Sequence, residues 1–180
     1  IDLLEKAALI VRKDKPSAGG DFYDRFRNRL MFPITDEQGR VIGFSGRCLD
    51  DQDKTAKYVN SPETLLFKKS RVLYALDKAR RHIVESREAI ICEGQIDVIR
   101  CHQAGFKMAV ASQGTAFTEE HVRILKRYAD SVVIIFDPDK AGQTASVKAS
   151  GVFMDAGLAV QVGTLPPKED PDSFIRKKGA

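Results

Sequence analysis

The sequence predicts an α/β fold in which a parallel sheet flanked by helices follows a mixed, basic α+β subdomain. The first observation is that short apolar strands alternate with longer amphipathic stretches after residue 87, a pattern typical of parallel sheets covered by helices on both faces. The second is that the preceding residues show hairpin and loop patterns without this alternation. We therefore expect two domains, residues 1–86 and 87–180.

Local polarity and turn residues define the elements of the first domain. An amphipathic pattern predicts the first helix, and β-branched and aromatic runs on either side of a turn ending in Gly39 predict a hairpin. The predicted elements are a helix over 2–12, a loop over 15–20, strands over 30–35 and 40–48, an extended loop over 54–64 and a helix over 73–86.

The second domain is predicted to contain four strands, each followed by a helix. Neither G-x-x-x-x-G-K-[ST] nor G-x-G-x-x-G occurs, which argues against a P-loop ATPase and a dinucleotide-binding fold. The predicted strand and helix pairs are 89–92 with 96–104, 108–111 with 119–128, 132–136 with 141–154, and 159–165 with 173–178.

Composition excludes several classes of protein. No apolar run approaches the roughly 18 residues that a membrane-spanning helix needs, and acids occupy the N-terminus where a signal peptide carries bases. The three cysteines, Cys48, Cys92 and Cys101, have no C-x-x-C spacing, so neither a disulfide framework nor a zinc site is predicted. We therefore expect a cytoplasmic protein with no membrane partner and no zinc.

The excess positive charge lies in the first half of the chain. Residues 1–88 contain 18 Lys and Arg against 14 Asp and Glu, whereas the remaining residues contain 11 of each. The segments 25–29 and 67–71 interleave cations with aromatic residues, which suits a surface that contacts phosphates and stacks on bases. An ordinary solvated face is the alternative interpretation.

Carboxylates follow the strands of the predicted parallel sheet. Glu93 follows the first strand and Asp97 lies four residues later, Asp137 and Asp139 follow the third strand, and 169–172 follow the fourth. Ligands of open parallel sheets bind at this edge. Carboxylates gathered there repel each other unless a cation lies between them, and an all-oxygen ligand set favours Mg²⁺ or Mn²⁺.

Each aspartate at the start of a helix also has a purely structural interpretation. Asp97, Asp139 and Asp172 lie where helices are predicted to begin, and an aspartate at that position often only caps the helix. Capping does not explain Glu93, which ends an apolar strand before a glycine, or Asp137, which directly continues another strand.

These residues resemble a known family. Glu93-Gly94 after an apolar strand, followed later by Phe136-Asp137-x-Asp139-x-Ala141-Gly142, resembles the TOPRIM domain of primases, topoisomerases and some nucleases. Further segments resemble the RNA polymerase domain of DnaG-type bacterial replicative primases, and they occur in the matching order. These segments are 23–34, 43–47, 57–64 and 114–121. The resemblance implies a fragment of that catalytic core, with a TOPRIM-like sheet in the second domain.

The resemblance also implies an activity and its partners. The family makes short RNA primers from ribonucleoside triphosphates on a single-stranded DNA template during DNA replication, using Mg²⁺ or Mn²⁺ and releasing pyrophosphate. It implies a bacterial, cytoplasmic protein associated with the nucleoid and replisome, and a replicative helicase that binds through a region outside this chain.

By position, particular residues match the functional positions of that family. Those matching the acidic metal-binding cluster are Glu93, Asp97, Asp137, Asp139, Asp170 and Asp172, of which Glu93, Asp137 and Asp139 are the implied catalytic residues. Those matching the positions that bind nucleic acid or nucleotide are Arg47, Lys57, Tyr58, Asn60 and Lys69.

Two alternatives to a primase stay open at the level of the sequence. A TOPRIM nuclease or topoisomerase-type enzyme uses the same acids to break DNA. The isolated chain could also be a metal-binding and nucleic-acid-binding module without activity of its own.

Overall fold

The computed structural model describes residues 1–17, 20–49 and 56–179, and these form two compact units. The first unit comprises residues 1–34 and 40–68, and the second comprises residues 35–39 and the chain from Lys69 onward.

The first unit is built mainly from strands. Strands β1 and β2 pair antiparallel, and a separate three-stranded sheet has the order β3-β4-β5, so the predicted hairpin strands are hydrogen-bonded neighbours. The elements are α1 (Asp2–Lys6), β1 (Ile10–Ser17), β2 (Gly20–Asp24), β3 (Arg29–Thr35), β4 (Val41–Cys48) and β5 (Tyr58–Asn60).

The prediction of a single helix over residues 2–12 is wrong. The helix ends at Lys6, and the chain turns at Ala8, whose φ of 56° lies in the left-handed region. Pairing with β2 then extends the next residues, and the Arg12 guanidinium lies 4.6 Å from the centre of the Phe22 ring. Helical periodicity over so short a window is overridden here by pairing with the strand that follows next in the chain.

The loops predicted for this unit are only partly correct. Residues 15–17 continue β1, and Gly20, with φ of 89°, begins β2. The predicted loop over 54–64 contains the three-residue strand β5, and its first two residues, Lys54 and Thr55, lie outside the described residues.

The second unit contains the predicted parallel sheet. The sheet has the order β7-β6-β8-β9, and every pair of neighbouring strands is parallel. A short 3₁₀ helix, Lys69–Arg71, precedes the elements α2 (Leu76–Ser86), β6 (Glu88–Cys92), α3 (Gln95–Gln103), β7 (Ala109–Ala111), α4 (Glu119–Leu125), β8 (Ser131–Ile135), α5 (Lys140–Asp155), β9 (Ala159–Gly163) and α6 (Pro171–Lys178). The predicted alternation of strand and helix is therefore confirmed.

Packing in the hydrophobic core shows why α2 belongs to the second unit. Helix α2 contributes Leu76, Ala79 and Ile83, which share one helical face and pack in the same buried cluster as Ile91 and Ile134 of the central strands. Because α2 packs with the sheet, the compact unit starts well before residue 87, and the division into domains at residue 86 stays a prediction.

The helices of the described residues are too short or too polar for any of them to span a lipid bilayer.

A buried histidine makes the stability of this unit depend on pH. His121 of α4 is fully buried, its Nε2 lies 2.8 Å from the Lys69 carbonyl oxygen, and its Nδ1 accepts the Thr118 N–H at 3.2 Å. This pairing fixes a neutral imidazole with its proton on Nε2. Burial lowers the pKa of His121 below its ordinary value of 6.5.

We expect the free energy of unfolding to fall in acid, and we expect this fall to be smaller in the His121→Gln variant. A depressed histidine pKa means that the unfolded chain binds the proton more readily, so this contribution to stability is complete above pH 6.5 and is lost as the pH falls below it. Urea unfolding at pH 7.5 and pH 5.5 measures the difference. The other titrating groups are common to both proteins, so equal acid losses in the two would contradict the assignment to His121.

Candidate functional site

The register of the parallel sheet brings the carboxyl ends of its strands to one edge. Cys92 at the end of β6 pairs with Ala111 of β7 and with Ile135 of β8. The residues that follow these strands therefore start at the same level. As a result, Glu93 lies beside Asp137, whose backbone N–H donates to Glu93 Oε2 at 3.4 Å.

Asp97 lies at the same edge and is the buried member of the acidic group. It lies in the first turn of α3, is 9% exposed, and its Oδ2 accepts the Gly94 N–H at 3.2 Å. Burial, together with the negative charges of Asp137 and Asp170, raises the pKa of Asp97 to about 7, against the opposing hydrogen bonds from the Gly94 and Asp172 backbones. Asp137 and Asp170 are thus both close enough to Asp97 to repel its negative charge.

Two other carboxylates cap the N-termini of helices. Asp139 is the N-cap of α5 and accepts the Gly142 N–H at 2.8 Å, and Asp170 is the N-cap of α6 and accepts the Ser173 N–H at 2.6 Å. The structural interpretation of Asp139 as a residue that caps a helix is therefore confirmed. At the last helix the cap is Asp170 rather than Asp172.

Asp172 has a cationic partner that sequence reasoning missed. The Arg100 Nε donates to Asp172 Oδ1 at 2.6 Å, and Arg176 Nη1 lies 3.8 Å from its Oδ2. This pairing links α6 to α3 at the acidic edge. Arg100 lies three residues after Asp97, on the same helix, but a pairing across 72 residues has no local signature.

The acidic edge fits a hard divalent cation. Its donors are all carboxylate oxygens, and the mutual repulsion that helps to raise the pKa of Asp97 is relieved when a cation lies among them. Within the described ranges, no three His, Cys, Asp or Glu side chains are arranged as a ready-made metal site. Mg²⁺ is usually held by only one or two carboxylates, with water and substrate phosphates completing its shell, so this arrangement suits it.

The predicted nucleic-acid residues of the first unit lie on one pair of strands. Strand β4 places Arg47 opposite Tyr58 of β5, with the guanidinium carbon 6.0 Å from the ring centre, and Ser45 opposite Asn60. Lys57 directly precedes β5 and is exposed. Three of the four residues predicted from the resemblance in this unit thus lie on two paired strands, and Lys57 directly precedes the second of these strands.

Arg29, a cation of the segment 25–29 that the sequence assigned to a phosphate-contacting surface, instead supports this pair of strands. Its Nη1 donates to the carbonyl oxygens of Gly46 at 3.1 Å and Ala56 at 2.8 Å. It therefore ties β3 to the backbone on both sides of the Arg47 and Tyr58 pair. The remaining predicted cation, Lys69, lies in the second unit, where its carbonyl oxygen bonds to His121.

The parallel sheet with acids at its carboxyl edge defines a Toprim-like domain. Residues 90–175 match the family described as Toprim-like, and residues 2–80 match the family described as the DNA primase catalytic core, N-terminal domain. The chain belongs to the DnaG-type DNA primase family and corresponds to part of its catalytic core.

Similar proteins cover the whole of this chain. DNA primases of Staphylococcus epidermidis and Clostridium acetobutylicum are 44% and 46% identical to it over 98% and 99% of its length. The chain spans only 29% and 28% of those two relatives.

Solved structures agree with these matches. The Aquifex aeolicus primase, in a structure of its zinc-binding and RNA polymerase domains, has a TM-score of 0.89 and 38% identity, over 99% of this chain and 44% of that one. A DnaG primase catalytic domain bound to single-stranded DNA has a TM-score of 0.87 and 40% identity, over 99% of this chain and 55% of that one.

Proposed function

We propose that this chain carries the nucleotidyl-transfer centre of a DNA primase, which makes short RNA primers from ribonucleoside triphosphates on a single-stranded DNA template. The observation that carries the proposal is that carboxylates meet at the edge of the parallel sheet. Glu93 lies beside Asp137, and the negative charges of Asp137 and Asp170 raise the pKa of Asp97. Such clusters serve metal-assisted phosphoryl chemistry.

The acidic residues would hold Mg²⁺ or Mn²⁺ and position the reacting groups. The ligands we assign are Glu93, Asp97, Asp137, Asp139, Asp170 and Asp172. Bound there, the cation neutralises the charge of the triphosphate. Arg100 keeps Asp172 oriented toward α3 through their 2.6 Å contact.

In the reaction, Glu93 accepts the proton of the attacking 3′-hydroxyl. The 3′-oxygen forms a bond to the α-phosphorus of the incoming nucleotide, and the bond from that phosphorus to the bridging oxygen of the β-phosphate breaks. Pyrophosphate leaves with that electron pair. The exposed carboxylate of Glu93 is open to a substrate hydroxyl.

The cationic and aromatic side chains of the first unit would bind template or nucleotide. Arg47 and Tyr58 form an adjacent pair that combines a phosphate-binding group with a stacking surface. We assign Lys57, Asn60 and Lys69 to the same role. Binding of a replicative helicase, and association with the nucleoid and replisome, belong to this proposal and involve regions outside these 180 residues.

The test is incubation of the complete protein that contains this chain with single-stranded DNA, Mg²⁺ and the four ribonucleoside triphosphates. New short RNA products support the proposal, whereas shortened DNA supports the nuclease alternative. DNA binding that weakens steeply with salt but yields no product supports a binding module without activity.

A further inference from the structure

A cleft of about 900 Å³ opens at the acidic edge, on the side of α5. Its walls are one side of α5, from Lys140 to Val152, and the segment between β7 and α4, and Glu93 is one of its lining residues. This volume lies within the range of roughly 300–1,000 Å³ that is usual for small-molecule sites. The cleft is therefore large enough for a nucleotide beside Glu93.

The floor of the cleft is apolar and partly aromatic. Phe117 and Phe136 line it, with their rings stacked at a centre-to-centre distance of 6.3 Å and an interplanar angle of 23°. Ala145, Ala149 and Val152 of α5 extend this surface. Phe117 and Phe136 are only 8% and 6% exposed, so they back the cleft without offering a free ring face, and Ala145 and Val152 are more exposed. An apolar lining of this kind can bury part of a nucleobase.

Two lysine side chains of α5 line the same cleft. Lys140 and Lys148 are both exposed and lie eight residues apart, about 12 Å along the helix axis at 1.5 Å per residue. Among the described residues, neither ammonium group has an ion pair or hydrogen-bond partner. The other ionisable residue in the lining is Glu93. The wall is therefore complementary to an extended chain of phosphates.

We infer that this cleft binds the nucleotide that supplies the attacking 3′-hydroxyl, with Lys140 and Lys148 on its phosphates and its base against the apolar lining that includes Ala145 and Val152. The inference rests on the proposed function, in which Glu93 takes the proton of that hydroxyl. At the start of a primer this occupant is a ribonucleoside triphosphate. The incoming nucleotide binds separately, at the carboxylates.

The experiment compares Lys148→Gln with the wild type in two assays of the complete protein. The first is primer synthesis de novo from ATP on an oligo-thymidine template. The second is extension by ATP of an RNA primer already annealed to that template, which base pairing holds in place without help from the cleft. Lys107→Gln is the control, because Lys107 is exposed and precedes β7, at the opposite edge of the sheet.

We expect Lys148→Gln to raise the KM for ATP de novo about tenfold, the usual cost of one lost charge-assisted phosphate contact. The rate of extension should fall by a smaller factor, Lys148→Arg should restore de novo synthesis, and Lys107→Gln should match the wild type.

An unchanged KM, or equal losses in both assays, would overturn the inference. If the wild type makes no RNA at all, the proposed function fails, and the affinity for ATP measured by calorimetry then decides: equal affinities of wild type and Lys148→Gln overturn the cleft as a nucleotide site.

Discussion

We expect Glu93→Gln, in the complete protein, to lower the proposed primer synthesis by about 10²- to 10⁴-fold, the contribution usual for a positioned general base. The amide keeps the size of the side chain and can still receive the Asp137 N–H at its oxygen, but it neither accepts a proton nor carries the negative charge that a divalent cation needs. The loss should appear in kcat, because the template is assigned to the first unit. Primer yield per enzyme and DNA affinity by fluorescence anisotropy measure the two effects.

The matched control for this change lies on the same strand. Glu88 starts β6, at the far edge of the sheet, where its Oε2 accepts from Ser131 Oγ at 3.4 Å. Glu88→Gln removes the same charge away from the site, so primer synthesis should stay near the wild-type rate. A Glu93→Gln protein that makes primers at the normal rate would refute the role of Glu93, and one that loses template binding would show that Glu93 acts there instead.

The parallel sheet was predictable because its signals are local. Each of its strands is a short apolar run that stops at a polar residue or a glycine, and each run is followed by a helix with its own start signal, as at Thr118 and Asp139. The first unit was less predictable because residues 2–12 have helical spacing of their apolar residues although the chain leaves the helix after Lys6. The run from Ile10 instead pairs with β2, the next strand in the chain.

The acidic site was predicted as a set of residues, but not in its internal differences. Strand ends in a parallel sheet converge, so Glu93 and Asp137 were expected to meet, and they do. The burial of Asp97 depends on α6 packing against α3, which the local sequence does not reveal. The same packing creates the Arg100 pair with Asp172.

Gly142→Ala is the second large effect, and it follows from a close approach of two backbone segments. A Cβ at Gly142 would lie 2.2 Å from the carbonyl oxygen of Asp137 and 3.0 Å from its carbonyl carbon. Gly142 also donates its N–H to Asp139, so the first turn of α5 is tied to both ends of the Asp137-Pro138-Asp139 segment. The turn cannot admit a methyl group unless the Asp137 backbone moves.

We expect Gly142→Ala to destabilise the protein by about 2–3 kcal/mol, at the upper end of overpacking costs, and to abolish most primer synthesis because Asp137 is displaced from Glu93. Gly151→Ala is the matched control in the same helix, since its Cβ would meet nothing within 4 Å. That change should stabilise the protein by about 0.5–1 kcal/mol through helix propensity and leave synthesis unchanged. Urea unfolding and primer yield separate the two variants. Equal stabilities for both would mean that the backbone beside Asp137 accommodates the methyl group, and the requirement for glycine in this turn would then have another cause.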